Sequence, residues 1–190
     1  MRAQRPLLPM FAGAGLLALM LLPPVRDAFE SRMSTHMLVQ YPALLLTGAL
    51  LAPRWQDRAQ RWNELGIAGL VAAALAMALL MVPRVLDLAL QDAHIESVKL
   101  LALLASGAAL AVSWRRAGTV IQAFFLGNVL PMMAVVGTLY QDSPTRLCSA
   151  YLLDDQQRLG AALVWAAVGI AMLWLLRLGW RLQPARRVPV

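Results

Sequence analysis

Apolar residues in this chain gather into long uninterrupted runs instead of alternating or recurring on one helical face. A bilayer span needs roughly 20 mostly apolar residues, and several runs reach that length. Bounded by charge or proline, they predict six helices at about 6–23, 34–52, 65–83, 96–113, 118–140 and 159–180. The expected fold is all-α: a polytopic membrane protein in which residues 1–190 form a single domain of six transmembrane helices. Pro53, Pro83 and Pro144 sit at or near span ends, where helices stop. Pro131 falls inside the fifth span and should kink it, with Asn128 a turn away to satisfy the freed backbone. The first run, Leu7 to Leu22, follows Arg2 and Arg5 as a signal peptide would. It leads into Pro23, Pro24, Val25 and Arg26 without a small-x-small cleavage site, so it reads as a retained first span. No segment alternates like a barrel strand, and no low-complexity tract or obvious internal repeat stands out.

Composition agrees with the pattern. Hydrophobic residues make up 60% of the chain and charged residues 14%, against about 25% charged in a soluble domain. The net charge of +7 becomes a topology signal, since no soluble basic domain or interleaved aromatics point to nucleic acid. Arg2, Arg5, Arg54, Arg58, Arg61, Arg115, Arg116, Arg177, Arg181, Arg186 and Arg187 fall on one side, 11 of 17 basic residues. On that side the only acids are Asp57 and Glu64; the other eight lie opposite. The positive-inside rule then places both termini in the cytoplasm. In a Gram-negative cell this is an inner-membrane protein whose outer face meets the periplasm.

That orientation brings both histidines to the outer side. His36 opens the second span and His94 precedes the fourth, so the two share one depth. Met33, His36 and Met37 occupy i, i+3 and i+4 on one helix face, and a thioether–imidazole set suits Cu(I). The candidate metal ligands are His36, Met37, His94 and Cys148; methionines that merely fill gaps in the bundle are the structural alternative. Axial ligation of a b-type haem by the two imidazoles ranks below copper, because both stand at helix starts. Glu96 and Lys99 form an i, i+3 pair able to neutralise each other, with Lys99 snorkelling to the outer headgroups. Asp154 and Asp155 precede the sixth span, where carboxylates cap free N–H groups. Gln122 and Asn128 are intramembrane amides of the kind that bond a neighbouring helix. The single cysteine rules out an internal disulfide. No GxSxG, HExxH, CxxC, Walker or GxGxxG sequence is present and the loops are short, so no enzyme is expected.

Three stretches resemble the CtaG-type family of cytochrome c oxidase assembly membrane proteins. They are His36-Met37-Leu38-Val39-Gln40, His94-Ile95-Glu96-Ser97-Val98 with Trp114 at the far helix end, and Ser143-Pro144 through Tyr151 into Asp155-Gln156-Gln157 and Gly160. The family tends to show a second histidine where this chain has Gln40 and Val98. The resemblance implies a non-enzymatic assembly factor that handles copper at the periplasmic face, with respiratory oxidase subunits as partners. A metal-free accessory or structural subunit of a respiratory complex and a small b-haem electron carrier stand as alternatives.

Overall fold

The computed structural model describes residues 8–52 and 62–182, and all its regular elements are helical. The helices are α1 (Leu8–Leu21), α2 (Pro23–Glu30), α3 (Met33–Thr35), a π-helical turn (His36–Gln40), α4 (Tyr41–Leu51), α5 (Ile67–Leu80), α6 (Pro83–Gln91), α7 (Ala93–Arg116), α8 (Thr119–Asp142) and α9 (Leu153–Leu182). Arg2, Arg5, Pro53, Arg54, Asp57, Arg58, Arg61, Arg186 and Arg187 lie outside the described residues.

Three helices, α7, α8 and α9, are long and apolar enough to cross a membrane. Two more candidates are bent pairs: α1 with α2 turns by 72° and α5 with α6 by 74°. The first and third predicted spans therefore break earlier than expected, at Leu21 and Leu80. Proline explains both breaks. It has no N–H to give the helix before it, yet its fixed φ suits the first turn of the next one. Pro23 and Pro83 each open a short amphipathic helix where the sequence suggested only a loop. The second predicted span, 34–52, is a continuous run of α3, the π turn and α4. Pro42 is the second residue after the π turn; its ring would clash with the carbonyl four residues back in a regular helix, and one wider turn relieves that clash.

An internal repeat, invisible in the sequence pattern, organises these elements. The 14-residue α1 and the 14-residue α5 are each followed by a proline-led amphipathic helix and then a long helix. The offset is 59 for the first helices and for the facing glycines (67 minus 8, 80 minus 21 and 107 minus 48), and 60 at the starts of the proline-led helices (83 minus 23). Leu44-Leu45-Leu46-Thr47-Gly48 in α4 corresponds to Leu103-Leu104-Ala105-Ser106-Gly107 in α7. The two segments meet across a pseudo-twofold relation. A Cβ on Gly48 would strike the Leu104 carbonyl, and a Cβ on Gly107 would strike the Leu45 carbonyl. Only glycine lets the backbones come this close, the small-residue packing expected of membrane helices.

α8 and α9 add an antiparallel hairpin, with Gly137 and Gly160 facing each other near one end and Gln122 bonded to Trp174 near the other. α8 runs through Pro131 without a break; Asn128 bonds the carbonyl of Phe124, one turn back. At one end of the bundle Asn63 ties α5 to α7, donating to Ser113 Oγ at 2.7 Å and accepting from Gly69 N at 3.1 Å. Gly66, at φ +77°, makes the tight start of α5 there. The core fills the opposite half, around Met33, Met37, Leu44, Tyr140 and Leu159. Outward, α8 and α9 expose Val120, Phe124, Leu139, Trp165 and Leu173, an apolar surface suited to lipid.

Candidate functional site: a buried ionic cluster

The proline breaks swing α2 and α6 across one end of the bundle, and the starts of α3, α7 and α9 gather beneath them. His36 lies at the centre and is fully buried. The π turn begins at this residue. Its Nδ1 is 2.7 Å from the Tyr151 hydroxyl and its Nε2 is 3.1 Å from Lys99 Nζ. An ammonium can only donate, so Nε2 accepts and the imidazole is the Nδ1–H tautomer, donating to Tyr151. Tyr41 packs edge-on against the same ring at 5.4 Å.

Lys99 is 3% exposed and turns inward, which corrects the expectation that it snorkels to the headgroups. Its carboxylate partner is Glu30 at 3.3 Å, contributed by α2, and not Glu96. Glu96 instead receives Arg26 at 3.1 Å. Glu30 also accepts from Gln40 Nε2 at 3.2 Å and lies 3.6 Å from Arg26 Nε. A chain of contacts therefore runs Tyr151, His36, Lys99, Glu30, Arg26, Glu96 and joins the α8–α9 loop to the π turn, α7 and α2. Gln40 Oε1 is buried in this cluster with no partner among the described residues. Gln40 and Lys99 occupy equivalent positions in the repeat, since 99 minus 40 is 59, and both reach Glu30.

The loop between α8 and α9 is pinned over the cluster. Asp87 of α6 accepts from Ser149 N at 2.8 Å and Ser149 Oγ at 2.9 Å. Gln156, 1% exposed, accepts from Leu147 N and donates to the Tyr140 carbonyl. Asp155 accepts from Ser34 Oγ at 2.6 Å and Ser34 N at 3.3 Å, joining α9 to α3, while Asp154 pairs with Arg158 at 3.3 Å. The carboxylates expected to cap the last helix thus serve as a tether and a surface pair. Burial, with Glu30 adding, raises the Tyr151 phenol above its usual value, so it stays protonated.

The four predicted metal ligands take different surroundings. His36 and Met37 are buried in the core. Cys148 is buried in the pinned loop, its thiol directed at the Pro83 carbonyl at 3.7 Å. Burial and Asp87 push that thiol up to about 12. His94 is exposed in the first turn of α7, where Asp92 caps its backbone N–H at 2.7 Å. Among the described residues, no group of three or more His, Cys, Asp or Glu converges on a point. Sequence spacing singled out His36 but missed Glu30, Tyr151 and Gln40. Their partners are 10 to 115 residues away, and only the folded bundle brings them together.

Helix arrangement and buried cluster together define a class: a multi-helix bundle fitted to a membrane, with an ionic centre at one end. No protein-family model, curated protein or solved structure matches the chain.

Proposed function

We propose that the protein is a six-span membrane protein with both termini on the arginine-rich side, acting as a metal-free accessory or assembly subunit of a larger membrane complex. The ionic cluster is its structural lock, joining the two repeats to the last hairpin. The observation that carries this proposal is the commitment of both His36 nitrogens, Nδ1 to Tyr151 and Nε2 to the Lys99 ammonium. Copper at Nε2 would have to displace a cation held there by Glu30, whereas soft-ligand sites for Cu(I) offer free lone pairs. The likeness to oxidase assembly proteins favours a respiratory complex as the partner and an inner membrane as the location.

The test is purification from native membranes after mild crosslinking, with metal analysis and an absorption spectrum of the isolated chain after exposure to Cu(I). The expected result is crosslinked partner subunits, no stoichiometric copper and no Soret band. One copper per chain, lost in His94→Ala or Met37→Leu, would replace the lock by a copper-handling site. A Soret band would make the protein a haem carrier.

A further inference from the structure

The end of the bundle opposite the ionic cluster holds a cavity of about 350 Å³ between α7, α8 and α9. Its rim carries Arg177 and Arg181, one turn apart on α9, together with Thr119 at the start of α8. Its floor is apolar, formed by Leu126, Ile170 and Leu173. Trp114 and Trp174 complete the wall. The wall is fixed: Gln122 donates to the carbonyls of Trp114 and Ala117, both at 3.0 Å, and accepts from Trp174 Nε1 at 3.4 Å. Among the described residues, neither Arg177 nor Arg181 has a carboxylate or other hydrogen-bond partner. Two guanidiniums without a carboxylate partner among the described residues, over an apolar floor and flanked by indoles, are matched by a ligand that is anionic at one end and greasy at the other. The height in the bundle fits as well. α7 ends at Arg116 and α8 starts at Thr119, so this rim lies where helices leave the apolar layer, the level favoured by tryptophan.

We propose that this cavity binds an anionic phospholipid, its phosphate held by Arg177 and Arg181 and its glycerol and upper acyl chains on the apolar floor. Paired arginines suit a phosphate because each guanidinium presents a planar fork of donors. The proposal rests on reading the chain as a membrane protein, which membrane fractionation tests separately.

The experiment is native mass spectrometry of the full chain released from nanodiscs of phosphatidylglycerol or phosphatidylcholine, comparing wild type with R177Q/R181Q. Both arginines are exposed, and circular dichroism verifies that the variant keeps its helices. Wild type should retain phosphatidylglycerol and shed phosphatidylcholine. The double variant should bind phosphatidylglycerol roughly 30-fold more weakly, at about a kilocalorie per basic residue. Arg158→Gln, at the other end of the bundle, should retain it as wild type does. Equal retention of the two lipids by wild type would overturn the proposal even if the variant misfolded. Unchanged retention in a folded R177Q/R181Q would overturn it too, as would full competition by millimolar inorganic phosphate, which would assign the rim to a free anion.

Discussion

Lys99 depends on Glu30 more than Glu30 depends on Lys99. The lysine's carboxylate partner is Glu30, while the glutamate is also approached by Arg26 and Gln40. Removing one member of a buried pair strands the other, at about 3–5 kcal/mol. Glu30→Ala should therefore lower thermal stability by about that amount and Lys99→Met by less; equal losses in detergent melting curves would contradict the pairing. Cys148 makes a second residue-scale case. With its thiol pushed up to about 12, almost no thiolate exists near neutral pH, so maleimide should label it only after denaturation in SDS. The unfolded thiol ionises near 9.0, so the folded state loses stability as pH rises from there towards 12. The local spacing that revealed His36 could not show these pairings. Glu96 and Lys99 looked like partners because they lie three apart, but the true pairing joins residues 69 apart.

At the scale of elements, the glycines separate into those that touch backbone and those that do not. Gly48 and Gly107 sit against carbonyls of the facing helix, where no side-chain movement can make room. Gly127 and Gly169 have nothing within 4 Å. Gly48→Ala and Gly107→Ala should each cost about 1–3 kcal/mol or disrupt the α4–α7 contact outright. Gly127→Ala and Gly169→Ala should be close to neutral, and melting temperatures of the four variants check the contrast. The long apolar helices were legible from run length alone. The amphipathic α2 and α6 were not, because eight or nine residues of mixed polarity after a proline look the same whether they coil or lie across a bundle end. The repeat escaped for a related reason. Leucine and alanine fill both halves, so the alignment hangs on Thr47-Gly48 against Ser106-Gly107.

For the molecule as a whole, orientation is the quantity to measure. The proposed topology puts Thr145 outside and Gly118 inside, and both positions are exposed. In a Cys148→Ser background, Thr145→Cys should react with a membrane-impermeant maleimide in intact spheroplasts, and Gly118→Cys only after lysis. The reverse pattern would invert the topology and move the ionic cluster to the cytoplasmic face. Much of the arginine bias behind the proposed orientation falls in residues outside 8–52 and 62–182, so labelling tests it independently of the fold.

The Lys99–Glu30 contact also has a meaning in time. Glu30 is synthesised 69 residues before Lys99, and by then the first helical hairpin has been made. When α7 emerges it brings a lysine into the bundle, and the carboxylate that receives it is already in place. Gln40, at the matching position of the first repeat, carries no charge and needs no such receiver. The order of charge along the chain thus suits the order of its synthesis, and the second repeat made without the first would enter the membrane with an unanswered cation.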